Sequence, residues 1–141
     1  MIRKALILLL ALCFCAPAFA AVSIACPAAN TVKVHRIPHS INSYFTAVSD
    51  GVEFGGFGFG WNLDGVLIKA QVTDFNGSWS MVCTYGPQGF TESLQSSSSQ
   101  TFKSCTFANG TQTCNGSIQQ CTLSCPSQPT FTTAADAKKK K

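Results

Sequence analysis

The sequence GVLIKAQVTDFNGSWSMVCTYGP, residues 65–87, carries the clearest fold signal in the chain. Asn76-Gly77 at its centre is the preferred dipeptide of a two-residue β-hairpin turn, because both residues tolerate positive φ. A turn centred there fixes which residues face each other across the two strands. The expected pairs on one side of the hairpin are Val72 with Met81, Ala70 with Cys83, Ile68 with Tyr85 and Asp74 with Trp79.

The same register sorts the side chains by polarity. The pairs on the opposite side are Thr73 with Ser80, Gln71 with Val82 and Lys69 with Thr84. One side is therefore apolar and the other mostly polar, and a slip of one residue would exchange them. Turn chemistry and burial thus agree on one antiparallel hairpin.

The rest of the chain favours strands over helices. Val32 and Val34 alternate with Lys33 and His35, residues 44–48 are β-prone, and no segment has a helical period. Glycine turns and serine clusters separate these segments. The sequence predicts a mainly β fold: a single small antiparallel sandwich or open barrel with a disulfide-stapled C-terminal hairpin.

The N-terminus has the three parts of a secretory signal peptide. Arg3 and Lys4 precede an apolar run over residues 5–15, and Ala18-Phe19-Ala20 places small residues at cleavage spacing. The alternative is an uncleaved membrane anchor, which Pro17 and the short run count against. We expect residues 1–20 to be the signal peptide, 21–125 a single β-rich domain and 126–141 a disordered tail ending in lysines.

Six cysteines follow the signal peptide: Cys26, Cys83, Cys105, Cys114, Cys121 and Cys125. An even count in a small exported chain predicts three disulfides, whereas zinc ligation would favour a C-x2-C spacing that does not occur. We expect no metal site. His35 and His39 have an H-x3-H spacing, but in a strand they would lie roughly 13 Å apart.

The second Asn-Gly dipeptide predicts one of these disulfides. Asn109-Gly110 lies midway between Cys105 and Cys114, and counting outward from the turn makes the two cysteines a facing, non-hydrogen-bonded pair. The alternative is that both bridge elsewhere. We further expect Cys26–Cys83, because Ala70 opposite Cys83 leaves room for a sulfur, and by elimination Cys121–Cys125, which requires a turn between them.

The aromatic-glycine segment FGGFGFGW, residues 54–61, is the main candidate for a binding site. In a strand, Phe57, Phe59 and Trp61 share one face and glycines the other. The segment lacks the dinucleotide and P-loop spacings, so we expect no cofactor. Packing of the three rings in the core is favoured; the alternative is an exposed platform for a sugar or a partner protein.

Charge and catalytic motifs exclude several classes of function. The net charge of +4 arises from the signal and the lysine tail, so the domain has no basic face for nucleic acid. The sequence contains no motif of a catalytic nucleophile. Glu53 and Asp64 flank the aromatic segment and could form a glycosidase pair, but acids beside glycine turns are more often solvated turn residues. We expect no catalytic residues.

Three Asn-Gly-Ser/Thr sequons begin at Asn76, Asn109 and Asn115, and each is also an ordinary turn sequence.

Three segments carry a family resemblance: Cys26-Pro27 at the start, the aromatic-glycine segment in the middle, and the strand with Cys83-Thr84-Tyr85. In these segments the chain resembles an uncharacterised family of small exported bacterial proteins with a domain of unknown function. The resemblance covers residues 26–94 and implies no activity.

The sequence as a whole favours an exported, non-enzymatic binding or interaction protein, secreted or periplasmic and not anchored in the membrane after processing. Its partner is expected to be a protein or a glycan. The alternative is a carbohydrate-binding or carbohydrate-active protein that uses Phe57, Phe59 and Trp61.

The signal-peptide pattern predicts cleavage after Ala20. Intact-mass analysis of the exported protein should give a chain that begins at Ala21 and is lighter by two hydrogens for each disulfide. A mass that retains residues 1–20 would contradict the prediction.

Overall fold

The computed structural model describes residues 20–59, 65–86 and 91–131. This part of the chain folds into ten β-strands and two short 3-10 helices, Ala29–Thr31 and Gln100–Ser104. The strands are β1 (Val22–Ala25), β2 (Lys33–Arg36), β3 (Asn42–Ser49), β4 (Val52–Phe59), β5 (Leu67–Phe75), β6 (Ser78–Tyr85), β7 (Glu92–Ser96), β8 (Thr106–Phe107), β9 (Thr113–Asn115) and β10 (Thr122–Cys125).

The strands form two sheets, in agreement with the predicted β-sandwich. The large sheet has the order β2-β3-β4-β7-β6-β5-β9 and the small sheet the order β1-β10-β8. Every strand pairing in the two sheets is antiparallel. Apolar side chains of both sheets meet in one core, which includes Phe45, Phe54, Met81 and Leu94 from the large sheet and Ile24, Phe107 and Leu123 from the small one.

The β5–β6 hairpin has the predicted turn and register. Asn76 and Gly77 have φ of 54° and 80°, as a two-residue type I′ turn requires. The predicted pairs hold from Phe75↔Ser78 to Lys69↔Thr84. Val72, Met81, Ala70 and Cys83 are buried, so the side predicted to be apolar faces the core.

The predicted pair of Ile68 with Tyr85 is wrong. The register shifts between Leu67 and Lys69, so Leu67 lies opposite Tyr85 and is buried there. A β-bulge inserts one extra residue in one strand and so changes which side chain faces the core. The carbonyl of the displaced Ile68 accepts a hydrogen bond from the Gly116 amide at 3.2 Å.

The β3–β4 hairpin turns at Asp50-Gly51, whose φ values of 50° and 75° again fit a type I′ turn. The Asp50 side chain also reaches the small sheet, because its Oδ2 accepts a hydrogen bond from the Ala25 amide at 2.8 Å. The Asp50 carbonyl accepts another from Gln128 Nε2 at 3.3 Å. The turn therefore fixes the β1 strand as well as its own hairpin.

The second Asn-Gly dipeptide forms a different turn from the one predicted. Gly110 has a φ of 74°, its amide donates to the Phe107 carbonyl, and the Phe107 amide donates to the Thr111 carbonyl, each at 2.8 Å. These bonds close a three-residue loop, which shifts the register away from a two-residue turn. The loop connects the two sheets, since β8 pairs with β10 and β9 pairs with β5.

The three disulfides use all six predicted cysteines but only one predicted pairing. Cys26–Cys83 is confirmed, with the Cα atoms 5.8 Å apart. The predicted Cys105–Cys114 and Cys121–Cys125 pairings are wrong: the bonds are Cys105–Cys125 and Cys114–Cys121.

The physical reason for both errors lies in β10. Residues 122–125 are extended, and residues four apart on a strand lie roughly 13 Å from each other, too far for Cys121 to reach Cys125. The pairing of Leu123 with Phe107 and Ser124 with Thr106 brings Cys125 opposite Cys105 instead. Their Cα atoms are 4.4 Å apart, as in a non-hydrogen-bonded antiparallel pair.

The sequence predicted a disordered tail from residue 126 to residue 141. For the first six of these residues, 126–131, the prediction is wrong. Pro129 is buried, and Phe131 packs against the core with its ring centroid 6.5 Å from that of Phe102. Residues 126–131 thus lie against the domain. The rest of the predicted tail, 132–141, falls outside the described residues.

The disulfides should contribute unequally to stability. Cys26–Cys83 joins residues 57 apart in sequence, whereas Cys114–Cys121 joins residues 7 apart. On the chain-entropy model, the longer loop should stabilise the fold by about 4 kcal/mol and the shorter by about 2 kcal/mol. Urea unfolding of the Cys26→Ala/Cys83→Ala and Cys114→Ala/Cys121→Ala variants measures the difference, and equal losses would contradict the entropic account.

Candidate ligand-binding face

The large sheet has one face toward the core and a second face that carries exposed side chains. On β3, Phe45 and Ala47 point inward, while Tyr44 and Val48 point outward. On β4, Val52 and Phe54 point inward. The alternation of side chains along a strand therefore places Glu53, Gly55, Phe57 and Phe59 on the outer face.

Aromatic residues of three neighbouring strands lie side by side on this outer face. His35 pairs with Tyr44, and Tyr44 pairs with Phe57. The ring centroids are 6.1 Å apart in the first pair and 5.0 Å apart in the second. Phe59 follows two residues after Phe57 on the same side of β4. We call His35, Tyr44, Phe57 and Phe59 the aromatic strip.

The expectation that the alternating phenylalanines fill the core is wrong for Phe57 and Phe59, whose exposed fractions are 72% and 75%. The inward positions of this half of β4 belong to Gly56 and Gly58. A Cβ at Gly56 would overlap the Ser93 carbonyl, and one at Gly58 would lie 2.6 Å from the Phe45 ring. Because the inner side is already filled, the rings face outward. Trp61, the third predicted residue, lies outside the described residues.

Gly55 fixes the position of Tyr44. The Tyr44 ring extends across β4 so that a Cβ at Gly55 would lie 2.8 Å from the tyrosine oxygen. Tyr44 is 37% exposed, about half the fraction of the two phenylalanines, because its ring rests on the glycine backbone. An aromatic ring that covers a neighbouring glycine is a known way to stabilise a sheet.

A shallow groove of about 970 Å³ runs beside the strip over β2, β3, β4 and β7. Its charged side chains are Lys33 and Glu53, and its hydroxyl and amide residues are Thr31, Thr46, Ser93, Gln95, Ser96 and Ser97. Gln95 pairs with Gly55 on one side and Val82 on the other, so its side chain lies on the same outer face. The groove thus combines rings, hydroxyls and an amide.

The histidines and acids singled out from the sequence are dispersed. His35 belongs to the strip, where its Nε2 lies 2.9 Å from Thr46 Oγ1, while His39 lies in the β2–β3 loop. Across residues 20–59, 65–86 and 91–131, no three His, Cys, Asp or Glu side chains are placed to hold a metal ion. Glu53 lines the groove; Asp64 falls outside the described residues.

Sequence reasoning missed His35 and Tyr44 as site residues. The signal was present in Asp50-Gly51, which is as good a type I′ dipeptide as Asn76-Gly77. Counting outward from that turn pairs Tyr44 with Phe57, and the alternation of buried Phe45 and Ala47 then places Tyr44 outward.

Comparison with protein families, curated proteins and solved structures found no match for this chain. Among the described residues no helix is long and apolar enough to cross a membrane.

The neighbouring glycines Gly55 and Gly56 should respond differently to alanine. In Gly55→Ala the new methyl group meets the far end of the Tyr44 side chain, so the ring should move at little cost in stability. In Gly56→Ala it meets the β7 backbone and should destabilise the fold by about 1–3 kcal/mol. Thermal unfolding and the tyrosine ring signals in NMR spectra distinguish the two. If Gly55→Ala and Gly56→Ala lost equal stability, the assignment of Gly55 to the outer face of β4 and of Gly56 to the inner face would be wrong.

Proposed function

We propose that this chain is an exported, disulfide-stabilised binding protein that holds its ligand on the aromatic strip and the adjoining groove. The observation that carries the proposal is the exposure of Phe57 and Phe59, at 72% and 75%, on a paired strand of the large sheet. Exposed aromatic side chains grouped on one surface are typical of interaction sites rather than of ordinary protein surface.

The cross-linked fold supports a binding role. The strip lies on β2, β3 and β4, and β3 pairs with β4 along its whole length from Asn42 to Ser49. Side chains held on paired strands lose little conformational freedom when a ligand binds, so more of the contact energy appears as affinity. The sheet therefore acts as a preorganised scaffold.

Export is supported by the chemistry of the cysteines. Three disulfides persist in an oxidising compartment, which means outside the cell, in the periplasm or in the secretory route. The signal-peptide pattern of residues 1–20 points to the same compartments. We therefore place the protein in the bacterial envelope or the surrounding medium.

We propose binding without catalysis as the role of this face. Among the described residues that line the groove, Glu53 is the one with a carboxylate. Acid–base hydrolysis of a glycosidic bond generally uses two carboxyl groups. Glu53→Gln should accordingly leave the protein able to bind its ligand, because binding on the aromatic rings needs no proton transfer by a carboxyl group.

Phe57→Ala should weaken ligand binding strongly without unfolding the protein. Truncation of an aromatic hot-spot residue costs about 2 kcal/mol or more of binding free energy, or about thirtyfold in affinity. An exposed side chain contributes little to stability, so the free energy of unfolding should change by less than about 0.5 kcal/mol. Phe75→Ala is the matched control, because Phe75 is 74% exposed at the tip of the β5–β6 hairpin, on another part of the surface.

The measurement is a binding screen of the oxidised protein against three classes of probe: an array of glycans, a random peptide library and phosphatidylcholine vesicles. The proposal requires at least one ligand whose binding is lost in Phe57→Ala and kept in Phe75→Ala. The proposal is refuted if every ligand found binds the wild type, Phe57→Ala and Phe75→Ala equally well. It is also refuted if none of the three classes of probe contains a ligand.

A further inference from the structure

The aromatic strip offers rings on which sugars can stack one ring at a time, since the Tyr44 and Phe57 planes are inclined by 49° to each other. The Tyr44 and Phe57 centroids are 5.0 Å apart on adjacent strands, and Phe59 lies two residues, or about 7 Å, further along β4. The face of an aromatic ring carries negative charge density and attracts C–H groups. A sugar ring presents C–H groups on its faces and hydroxyls at its edge, so its face can lie on these rings.

Polar side chains line the same groove as the Tyr44 and Phe57 rings. Gln95 and Ser97 on the β7 side and Thr46 on β3 are hydroxyl and amide groups, which both donate and accept hydrogen bonds. Sugar hydroxyls also do both. A wholly apolar ligand would displace water from these groups without replacing its hydrogen bonds, whereas the hydroxyls of a glycan would replace them.

Charge and size distinguish a glycan from other ligands. The described groove carries one cation, Lys33, and one anion, Glu53, so its formal charges balance and suit an uncharged ligand. A polyanion would require clustered basic side chains. The volume of about 970 Å³ lies within the range of small-molecule sites.

The structure also holds the central ring in place before any ligand arrives. Tyr44 rests on the Gly55 backbone and is flanked by His35 and Phe57. The Thr46 hydroxyl beside it is oriented by the His35 imidazole at 2.9 Å. A platform fixed in this way loses little entropy when a sugar stacks on it.

We infer that the ligand of this face is an uncharged glycan, with one sugar ring stacked on Phe57 beside the inclined Tyr44 ring and its hydroxyls bonded to Gln95 and Thr46. This inference rests on the proposed function, because it names the ligand class of the same site. The glycan runs along β4, with further sugar units reaching Phe59.

The test is calorimetric titration of the oxidised protein with four neutral hexasaccharides, made of glucose (β-1,4), N-acetylglucosamine, xylose and mannose. A hexamer of galacturonate serves as the charged control. We expect at least one neutral hexamer to bind, and we expect Tyr44→Ala and Phe57→Ala each to weaken it at least tenfold. Gln95→Ala should weaken it several-fold and Phe75→Ala should have no effect. The affinity should stay within about twofold between 50 and 500 mM salt, because screening acts only on charged pairs.

Failure of the inference can be separated from failure of the proposed function. If none of the neutral hexamers binds, or if binding is unchanged in Tyr44→Ala and Phe57→Ala, the glycan assignment is wrong. If the peptide library or the vesicles then supply a ligand that requires Phe57 and not Phe75, the face is a binding site of another class. If no probe binds in a way that depends on Phe57, both the glycan assignment and the proposed function are wrong. Matching unfolding curves for all variants ensure that a loss of binding is not a loss of fold.

Discussion

The covalent link between the two sheets is the constraint on which this fold depends. Cys26, just after β1, is bonded to Cys83 in β6, and the adjoining Tyr85 hydroxyl donates a buried hydrogen bond to the Pro27 carbonyl at 2.6 Å. Burial raises the pKa of Tyr85, so the phenol stays protonated and keeps donating. The small sheet has strands of four, four and two residues, too few to be stable alone. Its position against the large sheet follows from these links and from Cys114–Cys121 at the other end.

The same constraint determines which face of the large sheet remains available for a ligand. The small sheet covers the inner face, where Ala70 lies in register between Cys83 and Cys114 and leaves room for both disulfides. In the second half of β4 the inner positions are glycines, because the β7 backbone and the Phe45 ring occupy the space that side chains would need. The aromatic residues of β4 therefore face outward, beside Tyr44 and the groove. Rings that the core cannot accommodate become the candidate binding surface.

The sequence predicted those parts of the fold that depend on local turn chemistry. Asn76-Gly77 gave the right register because two long strands of alternating polarity flank it and leave one pairing that buries the apolar side. Asn109-Gly110 gave the wrong one because the strands beside it are short and each pairs with a distant strand, β10 or β5. The partner of Cys105 depends on that long-range pairing, which no local pattern encodes. The orientation of Phe57 and Phe59 likewise depends on the close approach of β7 to Gly56, a tertiary contact that strand periodicity does not reveal.

The Phe57 and Phe59 rings of the aromatic strip face solvent, while Phe45 and Phe54 of the same strands fill the core. Paramagnetic relaxation by a soluble, uncharged gadolinium chelate, read from the aromatic protons of the free oxidised protein, measures this most directly. The account predicts strong relaxation of Phe57 and Phe59, intermediate relaxation of Tyr44, and almost none for Phe45 and Phe54, which are 0% and 3% exposed. If Phe57 and Phe59 were as protected as Phe45, the rings would be part of the core and the face would not be a binding site.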